Sequence, residues 1–287
     1  RPRHAYVKGV NGRSSGSVSW GGLFSFVTGL IEQGGSRRGA LMLILNVWHP
    51  DIMDFINSKR EMGKITNANI SVGITDEFMA AVRSDKEWNT VFPDTSDPKY
   101  NSDWDGDLEA WIKKGGSTVV YQTLKAKEVW NAIVESAWAS AEPGVFFMDR
   151  YNQMSNSWYY SSIQSTNPCG EQGLPPWGVC NLGSINLSQF VKDKRVLWDD
   201  LGRTVRSSVR FLDNVIDDTP YFFEENRKQQ QGERRIGLGT MGLADMLIKM
   251  ELAYGSEPSL KFIDELYKFI CLEAYDESCN LAEEKGS

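Results

Sequence analysis

The chain has 287 residues, 41% of them hydrophobic and 24% charged, within the ordinary range for a globular protein that can bury a sizeable core. Its net charge of −7 argues against a general polyanion-binding face, so any nucleotide contact must be local. No apolar run reaches the roughly 18 residues of a membrane span, no apolar leader segment follows Arg1-Pro2-Arg3-His4, and four cysteines are too few to staple such a chain; the expectation is a reducing, cytoplasmic setting with neither membrane nor nucleic acid as partner.

Residues 40–48 form a continuous apolar run, expected as a strand buried on both faces. His49-Pro50-Asp51 then supplies a Pro and an acid for the first turn of a helix carrying Ile52, Phe55 and Ile56 at helical spacing. Residues 69–75 read as another strand and 76–83 as a short helix with Phe78, Met79 and Val82 inward. The stretch 84–116, rich in Asp, Pro, Gly and Lys, reads mostly as a surface excursion with a short helix at 108–113. Helices are expected at 126–141, 199–217, 240–250 and 258–284, the second with Leu201, Val205, Val209, Leu212 and Ile216 on one stripe. Short strands fit 145–148, 179–187 and 235–238. This alternation predicts an α/β protein whose parallel sheet is covered by helices, open or closed into a barrel. The opening in mid-pattern and the helix-end reading of Glu283-Glu284-Lys285-Gly286-Ser287 suggest a piece truncated at both ends.

The stretch richest in chemistry is Asn167-Pro168-Cys169-Gly170-Glu171-Gln172, with Cys180 eleven residues after Cys169. Pro168 biases Asn167 toward an extended backbone, and in an extended segment Asn167, Cys169 and Glu171 would share one face. That face would offer an amide, a thiol and a carboxylate to one small polyhydroxylated ligand. Gly170, Gly173, Pro175 and Pro176 mark a loop, where active-site residues often sit. Taken alone, the same residues also allow a small packed thiol beside a solvated carboxylate.

Asn-Pro-Cys-Gly-Glu, followed by Cys-Asn-Leu-Gly-Ser-Ile-Asn-Leu from Cys180, resembles the finger-loop region of ribonucleotide reductases, and its form is most similar to the adenosylcobalamin-dependent class. Gln33-Gly34-Gly35-Ser36-Arg37-Arg38-Gly39-Ala40 ahead of His49-Pro50-Asp51-Ile52 is similar to that family's specificity loop. Asn69-Ile70-Ser71-Val72 and Gly232-Glu233-Arg234-Arg235-Ile236-Gly237-Leu238-Gly239 also match its pattern. The resemblance implies a ten-stranded α/β barrel with the finger loop inside it, residues 1–287 being an internal part of one catalytic barrel domain. It implies reduction of ribonucleotides to 2′-deoxyribonucleotides, with Cys169 as the transient thiyl radical, Glu171 as general base on the 3′-hydroxyl and Asn167 as a substrate hydrogen-bonding group. Substrate would lie against Asn167, Pro168, Cys169, Gly170 and Glu171. Cys180 would be one half of a redox pair whose other thiol lies on an earlier strand, before this chain begins.

The resemblance further implies a deoxynucleotide effector read by Gln33, Arg37 and Arg38, with its phosphates on Lys8 and, second to it, Arg3. The cofactor would be adenosylcobalamin, with no metal held by the chain's own side chains. Partners would be the ribonucleotide, the effector, a thioredoxin-like reductant and a second copy of the chain. Two alternatives stay open: a reductase of the same fold whose radical comes from a metal-containing small subunit, and an inactive split copy that only binds nucleotides. Cys271 and Cys279, eight apart on the last helix, are expected to be packed. Gly237-Leu-Gly239-Thr-Met-Gly242 matches a dinucleotide fingerprint without the βαβ unit around it, so helix packing is the expectation there. Gly12-Arg13-Ser14-Ser15-Gly16 matches a hydrolase elbow without a preceding apolar strand.

Overall fold

The computed structural model describes residues 1–33, 37–60 and 65–286, with the side chains of residues 32, 33 and 37 outside the description. The chain divides into two units, Arg1–Pro175 and Pro176–Ser287. In the first, a small antiparallel pair of residues 6–7 and 12–13 precedes α1 (Ser17–Leu30). No apolar stripe announces this helix. Its buried face is made of Gly21, Ser25 and Thr28, small residues that admit close neighbours, while Trp20, Leu23, Phe24 and Phe26 stay exposed.

Then follow β1 (Met42–Asn46), α2 (Ile52–Ile56), β2 (Asn69–Ile74), α3 (Asp76–Arg83), β3 (Glu87–Pro93), α4 (Leu108–Lys113), β4 (Thr118–Lys125), α5 (Ala126–Ser140), β5 (Gly144–Phe147) and α6 (Met148–Met154). β1, β2 and β5 form a parallel sheet with β2 in the centre, Leu43 opposite Ile70 and Val72 opposite Val145. The central strand is buried along most of its length, whereas β1 is only half-buried throughout. The two-face burial expected of 40–48 therefore belongs to β2, because β1 takes the edge of this sheet.

Ile70, Val72, Ile74, Ile52, Ile56, Phe78, Val129 and Ile133 make one core with Val47. Each such side chain, fully buried, contributes about 1.5–3 kcal/mol. α3 starts where Thr75 Oγ1 accepts from the N–H of Phe78 at 3.1 Å, with Asp76 and Glu77 in the first turn and Arg83 in the last.

The expected surface excursion of 84–116 is a correction. β3 and β4 pair antiparallel across it, with a bulge between Thr90 and Val91. Trp88, Thr90 and Phe92 are buried at a period of two, a signal too short to stand out between charged flanks. Phe92, Tyr100 and Trp111 form a separate aromatic core flanked by Trp48 and Trp104. The helix expected at 108–113 is α4, capped by Asp107 Oδ1 on the N–H of Ala110 at 2.9 Å.

His49, just past β1, is buried, and its Nδ1 accepts from the N–H of Asp51 at 3.0 Å. The ring proton of the neutral form must then sit on Nε2, which lies 3.3 Å from Ser17 Oγ. Burial pulls the His49 pKa down to about 4, against the opposing pull of Asp51. The Asp51 carboxylate accepts from the N–H of Arg3 at 2.9 Å and of Ser17 at 2.8 Å, which fixes the start of α1.

The first unit closes with β6 (Ser165–Thr166) and β7 (Gly173–Leu174), an antiparallel pair. The second unit holds β8 (Asn181–Asn186), α7 (Trp198–Asp218), α8 (Glu224–Glu233), β9 (Ile236–Met241), α9 (Leu243–Lys249) and α10 (Glu257–Lys285). β8 and β9 are parallel, Asn181 opposite Ile236 through Asn186 opposite Met241. The stripe expected on α7 is its buried face. Leu201 and Val205 join Ile185, Leu187, Met246, Leu266 and Ile270 in this unit's core.

The helix expected at 240–250 starts only at Leu243, because β9 runs on to Met241 and Gly242 turns the chain at φ +71°. α8, polar throughout, has no apolar stripe to announce it; Arg234 closes it at φ +50°. From there its guanidinium grips Asp213 at 2.8 Å and Asp217 at 2.8 Å, and Lys285 bonds the same two carboxylates. Cys271 and Cys279 are exposed, off the α10 face that buries Leu266, Ile270 and Leu281, against the packing expected of them. Parallel pairing within an α/β chain is as expected; among the described residues the strands lie in separate two- and three-stranded sheets.

Candidate active site

β6 and β7 are the two legs of a hairpin, and its tip is the stretch from Asn167 to Gln172. Ser165 lies opposite Leu174 and Thr166 opposite Gly173, where a Cβ would come within 2.4 Å of the Tyr151 ring. Only glycine lets this leg lie on that ring. Asn152 brackets the base, its Oδ1 accepting from the N–H of Ile163 at 2.8 Å and its Nδ2 donating to the Ile163 carbonyl at 3.0 Å.

At the tip the Gly170 N–H donates to the Asn167 carbonyl at 3.0 Å, closing a turn over Pro168 and Cys169, with Gly170 at φ +82°. The Asn167 N–H donates to the Gln172 carbonyl at 3.1 Å, and Asn167 Oδ1 accepts from the Gln172 N–H at 2.9 Å. The extended segment expected here is therefore a correction. Pro168, whose fixed φ suits the second position of a turn, and Gly170, free to adopt positive φ, fold the backbone back on itself. Shared direction through strand alternation is lost.

Cys169 and Glu171 are exposed and Asn167 and Pro168 half-buried, all on one short tip. The Asn167 side chain has a structural task at Oδ1, while its Nδ2 has no acceptor among the described residues. A thiol, a carboxylate and an amide donor are thus brought to one exposed turn. Two residues that the sequence reading left out hold it: Tyr151 OH donates to the Glu171 carbonyl at 3.3 Å, and Asn69 Nδ2 donates to the Pro168 carbonyl at 2.6 Å. Asn69 lies in a motif that the resemblance had marked, without a role.

Cys180, expected on a strand, is the residue just before β8, in the second unit, and half-buried. A Cβ on Gly237 would sit 2.8 Å from its sulfur. The first glycine of the dinucleotide look-alike thus makes room for a thiol, and β9 and α9 around it pack as expected of a structural element. The Ser14 hydroxyl of the hydrolase look-alike donates to the Arg1 carbonyl at 3.1 Å. A groove of about 790 Å³ between β8 and α7, lined by Leu182, Ser184, Arg203, Thr204, Phe211 and Leu238, contains none of the expected site residues.

Of the expected effector residues, Lys8 is exposed on a turn before α1, and Arg3 is exposed with its guanidinium 3.5 Å from Asp54. Residues 32–33 and 37–38 pair antiparallel after α1, with Gln33 opposite Arg37. Arg38 is exposed, whereas residues 34–36 and the side chains of Gln33 and Arg37 lie outside the described residues.

The class is that of mixed α/β chains with parallel strands, here with a Cys-bearing hairpin at the end of the first unit. The family model of the ribonucleotide reductase barrel domain matches residues 1–287, and the chain belongs to that family. It is 43% identical to a vitamin B12-dependent ribonucleoside-diphosphate reductase of Thermoplasma acidophilum, over all of this chain and 35% of that protein. It is 37% identical to an enzyme of the same name from Mycobacterium tuberculosis, over all of this chain and 38% of that protein. Against the ribonucleoside-diphosphate reductase subunit alpha of Chlamydia muridarum it is 30% identical, again over its whole length and 29% of the other. The chain spans between 29% and 38% of the length of these relatives.

Proposed function

We propose that the chain is the Cys-bearing part of an adenosylcobalamin-dependent ribonucleotide reductase. The observation that carries this is the exposed hairpin tip, which presents the Cys169 thiol, the Glu171 carboxylate and the Asn167 amide together. Both units would belong to one catalytic barrel of ten strands, completed by the remainder of the polypeptide, with this tip inside.

A cofactor that starts radical chemistry must reach the sulfur from outside its own hairpin, and the exposure of Cys169 fits that requirement. When bound, adenosylcobalamin supplies the initiating radical. Cys169, as thiyl, then takes the ribose 3′-hydrogen: the C–H bond breaks and an S–H bond forms. Glu171 accepts the 3′-hydroxyl proton and Asn167 Nδ2 holds the substrate in register. The 2′-hydroxyl leaves as water with one proton from the Cys180 thiol pair, and C2′ takes up the other hydrogen. The two electrons come from Cys180 and a second thiol, which join as a disulfide, while Glu171 returns its proton to the 3′-oxygen. Return of the hydrogen from Cys169 to C3′ regenerates the thiyl. A thioredoxin-like protein would reduce the disulfide in a cytoplasmic setting. The names of the first relatives favour this reading over one with a metal-containing small subunit.

Regulation would use Lys8 with Gln33, Arg37 and Arg38, and Arg3 as a lesser contact. The roots of these two loops lie at opposite ends of α1, whose 14 residues rise roughly 21 Å. A deoxynucleotide held by both is more easily shared between two copies whose α1 helices run antiparallel. The exposed Trp20, Leu23 and Phe24 supply apolar surface for such a homodimer.

The test is release of tritium from 3′-tritiated ribonucleotide by the complete enzyme with its cofactor. Parent protein should release it and Cys169→Ala should not; release by Cys169→Ala at the parent rate would overturn the proposal.

A further inference from the structure

Asn69 is the first residue of β2, and its side chain reaches 99 positions along the sequence to the carbonyl of Pro168, at 2.6 Å. That oxygen belongs to the peptide leading into Cys169. Peptide planarity makes the Pro168 carbonyl and the Cys169 N–H one rigid plate. The pyrrolidine ring fixes φ of Pro168, so ψ of Pro168 is the soft torsion that swings this plate and the Cys169 side chain with it. A hydrogen bond to the oxygen holds that torsion.

The other hydrogen bonds at the tip run between Asn167 and Gly170 and between Asn167 and Gln172, or reach it from the Thr166 hydroxyl, on the Asn167 carbonyl at 3.0 Å, and from Tyr151. Tyr151 bonds the Glu171 carbonyl and Asn152 the base of the hairpin, and among the described residues neither hydrogen-bonds the plate that carries the thiol. Asn69 is itself well anchored. Its N–H donates to the Leu41 carbonyl at 2.8 Å, and the next N–H, of Ile70, donates to Glu142 Oε1 at 2.9 Å. Glu142 in turn pairs with Lys59. The central strand thus starts from an anchored residue whose side chain reaches the turn, while the Cys169 side chain is exposed.

We propose that Asn69 is a positioning residue for Cys169: by holding the Pro168 carbonyl it sets the direction in which the sulfur leaves the turn. This rests on the reading of Cys169 as the hydrogen-abstracting residue. Hydrogen transfer between sulfur and carbon needs the reacting atoms close and aligned, so a swung plate costs rate more than substrate affinity.

The experiment uses the complete enzyme with Asn69→Leu, which keeps size and removes the donor, Asn69→Asp, which sets an anion against the carbonyl, and Asn69→Gln, which keeps a donor. Three quantities are read: 3′-tritium release at saturating ribonucleotide, KM, and the alkylation rate of Cys169 by iodoacetamide without cofactor or substrate, followed on the Cys169 peptide. Tritium release should fall roughly tenfold to a hundredfold in the Leu and Asp variants, with KM changed no more than about twofold. Alkylation of Cys169 should change with it, and Asn69→Gln should recover part of both. Tritium release within about twofold of parent in both Leu and Asp variants would overturn the proposal. So would a loss equal in all three variants that follows their melting temperatures, or failure of Leu and Asp variants alike to fold, since either result makes Asn69 purely structural. Cys169→Ala in the same assay separates the two levels. If it still releases tritium the functional reading falls, and if it is silent while Asn69→Leu is unchanged only the positioning role falls.

Discussion

Gly237 faces the sulfur of Cys180: a methyl group built on its α-carbon would lie 2.8 Å from Sγ and 2.4 Å from Leu182 Cδ2. Both contacts are closer than a real Cβ atom shows, so a side chain at residue 237 obliges the Cys180 sulfur and the Leu182 methyl to shift. Gly237→Ala should cost about 1–3 kcal/mol through overpacking. It should also change the rate at which Cys180 reacts with a thiol reagent. Denaturant unfolding and labelling of the Cys180 peptide in the complete enzyme check this; parent values in both would show that Sγ has room to move.

The two cysteines should differ in kind. On the proposed roles, Cys169→Ala would remove the hydrogen-atom acceptor, so no step could begin. Cys180→Ser would remove an electron source that the proposal uses only after the 3′-hydrogen has left, and the stalled substrate should decompose and release its base. Tritium loss and free base from 3′-tritiated nucleotide separate them. Free base from Cys169→Ala, or silence from a folded, substrate-binding Cys180→Ser, contradicts the assignment.

Arg234 joins α7 to the end of α8 through Asp213 and Asp217, and Asp213 is almost fully buried. Arg234→Ala leaves that carboxylate with Lys285 alone and should cost about 3 kcal/mol. Arg234→Gly loses the same ion pairs but relaxes the positive φ, so it should be milder by up to about 1 kcal/mol. Hydrogen bonds from Arg234 and Lys285 hold the Asp217 pKa down to about 2. A carboxylate depressed in the folded state stabilises above its unfolded value near 3.9, and that stability is lost as pH falls toward 2. Thermal melts between pH 5 and pH 2 should show the loss, with a shallower slope in Arg234→Ala.

His49 gives a second pH window. With its folded pKa near 4, the unfolded chain binds more protons between pH 6.5 and pH 4. Stability is complete above pH 6.5 and falls through that window, by on the order of a few kcal/mol. His49→Asn, whose side-chain oxygen can still accept from the Asp51 N–H, should flatten the slope. An unchanged pH dependence in that variant would place the titration elsewhere.

How the chain is built was only partly legible along its length. The α7 stripe of Leu201, Val205, Val209, Leu212 and Ile216 could be read because burial there repeats every helical turn, and one face of the helix meets the core. The parallel strands 69–74 and 181–186 stood out for their apolar or motif-bearing runs. β3, α1 and α8 were hidden: one is a short alternation between charged flanks, one buries small residues instead of large ones, and one is polar throughout.

At the site, the sequence alone determined which groups are available, since Asn167, Cys169 and Glu171 stand within five positions and their chemistry does not depend on folding. It could not determine how they are presented. Pro168 permits an extended strand or a turn, and the choice fell to the closure of the β6–β7 hairpin on Tyr151 and Asn69, partners at the turn that lie about twenty and a hundred positions away. The same holds for Gly237 against Cys180 and for Arg234 between Asp213 and Asp217. Local pattern records burial and backbone preference, whereas these contacts exist only once packing has brought distant segments within a few ångströms.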